Sequence, residues 1–265
     1  MANKMFDLTG KHAVVTGANG PLGRSLAVAL AEAGATVSVT TLRKTQQEEV
    51  EANSILNECW SAGSQKGKAV AVDLTDEAGV EAAFAGLESS VGPIDIVVNA
   101  GHAANIKPLL ESSLADWNNE ISRNATTVFV STLAAGKRMV PRKKGRIINI
   151  VSDIHDRGVP NCAIFGASQG AVLGFTKNLA IEWGVGEPLV EDRLTVNAIQ
   201  LGFMEDVPGP HQDPVLGEIM QKYIPLRRLG SSKDLQGAVV YLASDRSNYI
   251  NAETITVDGS IVNHA

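Results

Sequence analysis

The segment Lys11–Gly23 reads KHAVVTGANGPLG and decides the fold of this chain. Its first half, Lys11–Thr16, is a short apolar run that predicts a buried strand, and a turn with three glycines follows it. An Ala- and Leu-rich helix is predicted over Arg24–Gly34, where a glycine ends it. A strand, a glycine turn and a helix in this order are typical of the first unit of a doubly wound α/β sheet.

The rest of the chain repeats this alternation of strand and helix. Strands are predicted at Thr36–Thr40, Gly67–Val72, Ile94–Val98, Arg146–Val151, Leu194–Ile199 and Glu253–Val257. Helices are predicted at Gln46–Ser61, Glu77–Glu88, Ala115–Met139, Ala167–Trp183, Pro214–Tyr223 and Lys233–Ala243. Near-continuous apolar strands separated by helices imply a parallel sheet covered on both faces. With no internal repeat or linker, we predict one α/β domain over residues 1–265, with a seven-stranded parallel sheet.

Composition and charge limit the partners that this chain would take. The chain has 265 residues, of which 44% are hydrophobic and 20% charged, and its net charge is -6. That negative charge argues against a nucleic-acid partner, because nucleic acids bind to basic protein surfaces. Cys59 and Cys162 lack metal-ligand spacing, so we expect no metal and a reducing compartment. Met1–Leu8 is too short and polar for a signal peptide, and no apolar run suits a membrane span; we expect a cytoplasmic protein without membrane contact.

Further motifs follow the glycine turn in a set order. They are Asp73, Asn99-Ala100-Gly101, Trp117, Asn124, Asn149-Ile150-Val151-Ser152, Val196-Asn197-Ala198 and Asp258-Gly259. Together with the turn Thr16–Gly23, they resemble the motifs of the short-chain dehydrogenase/reductase family over essentially the whole chain. The resemblance implies a single Rossmann-type doubly wound domain, whose ligands bind at the carboxyl ends of the strands.

The resemblance implies a site for NAD or NADP. It assigns to that site Gly17, Asn19, Gly20, Leu22, Gly23, Thr41, Asp73, Leu74, Asn99 and Gly101. Two departures argue against binding by this chain: Pro21 brings no N–H to the phosphate turn, and Asp206 would repel the phosphates. Gly20 could instead restore room in the turn. No acid follows the second strand, and Arg43 there could meet a 2′-phosphate, which favours NADP slightly.

The same resemblance defines the catalytic positions. The family uses a Tyr as general acid/base and a Lys four residues later, whose charge lowers the Tyr pKa. Counted from Ser152, these positions hold Phe165 and Gln169, and the flanking Gly166-Ala167-Ser168 fixes the register. Phenylalanine has no titratable proton and glutamine no charge, so the proton path is lost. Ser152 and Asn124 are retained, and both could be inherited as structural polar groups only.

Other side chains could replace the missing acid. Asp153, His155 and Asp156 follow Ser152, and His102 follows the Asn-Ala-Gly turn. His155 is the alternative that we weigh most, because histidine transfers protons near neutral pH. A solvent-facing histidine is the simpler interpretation.

Three functions remain open from the sequence. The first is a degenerate subunit that partners an active paralogue in a heterodimer or heterotetramer; it resembles the non-catalytic subunits of two-subunit members, such as the hydroxybenzylsuccinyl-CoA dehydrogenase of anaerobic toluene degradation. The second is an active oxidoreductase or lyase that uses His155, and the third is a nucleotide-binding sensor. A homo-oligomer is the alternative assembly. The substrate is not readable from the predicted lid Gly202–Arg228, and Val185–Asp192 is longer than the family pattern.

Overall fold

A computed structural model describes residues 4–64, 66–184 and 193–264 of the chain. The stretch 185–192 that the sequence singled out lies outside these residues. In the described part, seven parallel strands form one sheet in the order β3-β2-β1-β4-β5-β6-β7. The strands are β1 (His12–Thr16), β2 (Thr36–Thr40), β3 (Ala69–Val70), β4 (Ile96–Asn99), β5 (Gly145–Ser152), β6 (Leu194–Leu201) and β7 (Thr254–Val257). The predicted doubly wound, seven-stranded α/β domain is confirmed.

Helices cover both faces of this sheet. They are α1 (Gly20–Glu32), α2 (Gln46–Ser61), α3 (Glu77–Val91), α4 (Leu114–Ile121), α5 (Thr127–Arg142), α6 (Ile154–Arg157), α7 (Ala163–Gly184), α8 (Pro214–Tyr223) and α9 (Gln236–Ala243). One core packs α1, α2 and α9 against the sheet, and a second packs α3, α5 and α7 against its other face. Strands that are buried on both faces explain the continuous apolar runs in the sequence.

Several element boundaries differ from the sequence prediction: the predicted helix Ala115–Met139 is divided into α4, a π-helical turn and α5, and the third strand and α7 also differ. The third strand is two residues long and does not run over Gly67–Val72, because the backbone of Val72 pairs with the Thr41 hydroxyl and not with a strand. Helix α7 begins at Ala163, four residues before the predicted start at Ala167. This earlier start places both Phe165 and Gln169 inside one helix.

Candidate functional site

The glycine turn lies where the strand order reverses, between β1 and β4. Thr16 at the end of β1 pairs with Asn99 at the end of β4, and Ala100 donates its N–H to the Thr16 carbonyl at 3.1 Å. Gly17 has a φ of 59°, and a Cβ at this position would lie 2.8 Å from the Gly101 Cα. Glycines at these two positions therefore let the two loops touch at the switch point, where α/β folds bind ligands.

The turn leads directly into α1, which begins earlier than predicted. A Cβ on Gly23 would lie 2.4 Å from the Ala18 Cα, so this glycine permits close packing of the helix on the turn. Pro21 occupies the first turn of α1, where an N–H has no acceptor within the helix. It also removes one donor from those that a phosphate would meet. Leu22 is buried and packs into the core.

The residues beyond β2 bond to each other. The Asn19 amide from the glycine turn donates to the Glu48 carbonyl at 3.0 Å and accepts from the Leu42 N–H at 3.2 Å. One oxygen of the Glu48 carboxylate accepts from the N–H groups of Leu42 and Arg43, at 2.9 and 2.7 Å. The Leu42 side chain lies 3.2 Å from the Cβ position of Gly101. The sequence analysis did not identify Leu42 or Glu48.

Other predicted cofactor residues also have partners within the chain. The Thr41 hydroxyl exchanges hydrogen bonds with the Val72 backbone, and Leu74 is buried in the core. One oxygen of the Asp73 carboxylate accepts from both the N–H and the hydroxyl of Thr75. The direct role of each of these residues toward a nucleotide stays a prediction.

Asn99 belongs to a buried polar network that ties the strand ends together. Its amide nitrogen donates to Asn149 at 2.7 Å and to Thr132 at 3.0 Å, and its oxygen accepts from Thr16 at 2.8 Å. Asn149 continues the network to Thr176 on α7. A fully satisfied network of this kind holds the strands at a defined geometry.

Asn124 lies in a π-helical turn, Ser122–Thr126, between α4 and α5. Its amide exchanges hydrogen bonds with the backbone of Ala103 and donates to the Glu120 carboxylate at 2.9 Å. Glu120 is fully buried, and burial raises the pKa of its carboxyl group. This retained asparagine therefore fastens the loop after β4 to the helix, and the buried acid beside it gives no signal in the sequence.

The two degenerate positions lie on α7, one turn apart and on the same helix face. Phe165 is 1% exposed and packs edge-on against His102, with ring centroids 5.4 Å apart. Gln169 is 2% exposed; its oxygen accepts from the Ser152 N–H at 2.9 Å, and its nitrogen donates to the Ser168 hydroxyl at 3.2 Å. Gln169 is thus a buried tie between α7 and the end of β5.

A small cavity lies between Ser152, Phe165 and the segment after β6. It has a volume of about 10 Å³ and is also lined by His102, Phe203 and His211. This volume holds about one water molecule. Burial lowers the pKa of His102 to about 4, so its ring is neutral at pH 7. A larger cavity of about 220 Å³ lies nearby, between Phe203, Leu226 and Asp258.

His155 lies on the short helix α6 and does not line the small cavity beside Ser152. Its Nδ1 lies 2.7 Å from the Ser152 carbonyl, and its Nε2 lies 3.4 Å from a carboxylate oxygen of Asp156. The Ser152 hydroxyl instead meets the Ile154 N–H at a long 3.5 Å. The structure therefore places His155 against the backbone of the serine, and its side chain is only 8% exposed, so the simpler interpretation of a solvent-facing histidine is wrong.

Asp206, which we expect to repel cofactor phosphates, is bonded to Ser232 in the structure, and its effect on a cofactor stays a prediction. Its carboxylate accepts from the Ser232 N–H at 2.9 Å and from the Ser232 hydroxyl at 2.6 Å. These bonds hold the charge at the start of a 3-10 helix, Ser232–Leu235. Because this partner is distant in sequence, the loop alone could not reveal it.

Across residues 4–64, 66–184 and 193–264, no group of three or more His, Cys, Asp and Glu side chains is placed to hold a metal ion. Over the same described ranges, each helix is too short or too polar to cross a membrane. Both cysteines are buried thiols.

Comparisons with known proteins cover nearly the whole chain. A family model described as Enoyl-(Acyl carrier protein) reductase matches residues 17–260. Gluconate 5-dehydrogenase of Gluconobacter oxydans (strain 621H) is 31% identical over 259 residues, which are 97% of this chain and 96% of that protein. The 3-oxoacyl-[acyl-carrier-protein] reductase FabG of Aquifex aeolicus (strain VF5) is 33% identical over 258 residues, 96% of this chain and 98% of that protein.

A solved structure shows the same likeness in three dimensions. The gluconate 5-dehydrogenase from Burkholderia cenocepacia J2315, in complex with NADP and tartrate, superposes with a TM-score of 0.88 at 29% identity and covers 98% of both chains. Fold, switch-point turn and comparisons define a Rossmann-type oxidoreductase. The chain belongs to the short-chain dehydrogenase/reductase family.

Proposed function

We propose that this chain is a non-catalytic subunit of a hetero-oligomeric short-chain dehydrogenase, in which a paralogous subunit interconverts a secondary alcohol and a ketone. The observation that carries the proposal is the hydrogen bonding of the buried Gln169 side chain. Both ends of its side chain are hydrogen-bonded within the protein, where the family has a charged lysine. A positioned general acid contributes about 10²–10⁴ in rate, and Phe165 supplies none.

The space around the degenerate positions supports the same proposal. The cavity beside Ser152 measures about 10 Å³, the size of one water molecule, and Ser152 does not line the larger cavity of about 220 Å³ between Phe203, Leu226 and Asp258. At the end of β2, the N–H groups of Leu42 and Arg43 are already bonded to the Glu48 carboxylate, which argues against a 2′-phosphate at this place. With Phe165 and Gln169 at the catalytic positions, this chain's own residues supply no proton path for hydride transfer to or from NAD or NADP.

Exposed aromatic side chains on neighbouring helices support assembly with a partner subunit. Trp117 on α4 and Phe129 on α5 are 43% and 45% exposed, and Phe129 packs against Phe175 of α7 at 6.0 Å. Exposed aromatic side chains on adjoining helices are typical of protein interfaces. An active paralogue is the partner that we propose, with a homo-oligomer as the alternative. A hydroxyacyl-CoA substrate follows if the likeness to the two-subunit enzyme of toluene degradation holds.

Turnover by the purified chain tests this proposal. With NAD or NADP and a panel of secondary alcohols and ketones, we expect a rate at least about 10²-fold below that of a family member with the catalytic tyrosine. Native mass spectrometry of the complex from its natural source should show a second, tyrosine-bearing chain. Ordinary turnover by the chain alone would overturn the proposal.

An active oxidoreductase is the second candidate, and the comparisons favour it, because the matched relatives are dehydrogenases and reductases by name. In that case His155 is the candidate acid. Replacing His155 with alanine should then abolish turnover, whereas the proposal above expects no turnover to lose. Calorimetry with NAD and NADP tests the third hypothesis, a nucleotide sensor: binding without turnover would support it, and no heat with either nucleotide would rule it out.

A further inference from the structure

The end of β2 holds two backbone N–H groups that point at one negative charge. Leu42 and Arg43 both donate to the same carboxylate oxygen of Glu48, at 2.9 and 2.7 Å. Bonds from backbone N–H groups to a carboxylate are charge-assisted and short. The two donors thus form an anion seat, and a side chain of the protein itself fills it.

The anion seat lies at the end of β2, the position that contacts a bound nucleotide in this type of fold. In doubly wound folds the residue at the end of β2 meets the adenosine ribose, where an acid binds the 2′-hydroxyl of NAD and an arginine accommodates the 2′-phosphate of NADP. This chain has no acid at that position, and Arg43 and Lys44 follow the strand. A carboxylate from α2 reaches the place instead.

Glu48 reaches this seat against its local sequence pattern. Thr45 is the N-cap of α2, and its hydroxyl accepts from the Glu48 N–H at 3.2 Å. A Glu at this position of a Thr-x-x-Glu pattern ordinarily reaches back to the N–H of the cap residue. Here the Glu48 carboxylate instead accepts from the N–H groups of Leu42 and Arg43, which precede Thr45 in the chain. It therefore ties the start of α2 to the end of β2.

Neighbouring contacts hold Glu48 in place. Asn19 donates to the Glu48 carbonyl at 3.0 Å and to the Glu51 carboxylate at 3.3 Å, and it accepts from Leu42 at 3.2 Å. The glycine turn, the end of β2 and the start of α2 are therefore joined to each other at the point where an adenosine would enter between them.

We propose that Glu48 is a built-in occupant of this anion seat and excludes 2′-phosphorylated nucleotides from the chain. A 2′-phosphate would have to displace the carboxylate or lie beside its like charge, and both are unfavourable. This conclusion runs against the slight preference for NADP that the missing acid suggested. It does not depend on the proposed function, because an active chain that uses NAD would exclude NADP in the same way.

Binding to the purified chain tests this proposal without any turnover. The variants are Glu48→Ala and the matched control Glu49→Ala, which removes an exposed acid from the same helix turn. The Leu42 and Arg43 donors lie near the surface, so water can replace the carboxylate and the variant should fold, which circular dichroism checks. Isothermal titration with NADP, NAD and 2′-AMP gives the affinities.

We expect Glu48→Ala to bind NADP or 2′-AMP at least about tenfold more tightly than the unaltered chain and Glu49→Ala do, while affinity for NAD changes less. 2′-AMP carries the same phosphate without the pyrophosphate, so neither Pro21 nor the small cavity affects its binding. The proposal would be overturned if the folded Glu48→Ala variant and the unaltered chain bound both phosphorylated probes with equal affinity. It would also be overturned if neither protein bound these probes. Tight binding of NADP to the unaltered chain would do the same.

Discussion

Asp153 is a buried acid whose environment disfavours its charge. It is 0% exposed at the end of β5, and neither carboxylate oxygen has a hydrogen-bond partner within the described ranges, 4–64, 66–184 and 193–264. Burial, helped by the nearby Asp258 and Asp156 and opposed by Arg157, raises its pKa to about 7. The carboxyl group is therefore protonated in the folded chain below neutral pH.

This raised pKa predicts a specific dependence of stability on pH. The folded state binds the proton more tightly than the unfolded state, so the stabilisation is present below about pH 4 and is lost as pH rises through 7. Asp153→Asn should raise the free energy of unfolding at pH 8 by about 1–3 kcal/mol, and less at pH 5. Urea unfolding at both pH values measures this, with exposed Glu111→Gln as the control. A larger gain at pH 5 than at pH 8 would contradict the argument.

At the residue scale, the sequence predicts some features of the site and not others. Phe165 and Gln169 are readable as departures because the residues around them fix the register. That Gln169 bonds the Ser152 backbone is not readable, since the partner lies seventeen positions away. Glu48 shows the same limit: its local pattern predicts a helix cap, and the tertiary structure gives it donors on the preceding loop instead.

At the scale of elements, the contact between α1 and the glycine turn rests on Gly23. A side chain there would lie 2.4 to 2.7 Å from backbone atoms of Ala18, which cannot move as a flexible side chain can. Gly23→Ala should therefore lower the free energy of unfolding by about 1–3 kcal/mol. Gly86→Ala in α3 is the control: its site is open, and alanine should stabilise that helix by about 0.5–1 kcal/mol. Urea unfolding of both variants compares them; similar changes at the two sites would show that close packing at Gly23 is unimportant.

Elements with a clear periodicity were predicted well, and elements set by tertiary contacts were not. The bounds of β2, α2 and α8 agree with the sequence prediction residue for residue. The third strand is shorter because a threonine side chain replaces its backbone partner, and α6 was missed because four residues carry no periodic signal. The parallel, doubly wound sheet followed from the alternation of strand and helix, whereas the order of its strands comes from the structure.

At the scale of the whole molecule, the exposed aromatic side chains on α4 and α5 predict how copies or paralogues assemble. Phe129 is 45% exposed and continues an aromatic contact with Phe175 of α7, so a charge there would lie inside any interface built on these helices. Phe129→Glu should weaken the oligomer at least about tenfold in dissociation constant, as sedimentation velocity would measure. Val50→Glu on α2 is the control, since that valine is 65% exposed on a helix outside the proposed interface. An unchanged sedimentation coefficient for Phe129→Glu would show that assembly uses another surface, and a monomeric unaltered chain would remove the interface altogether.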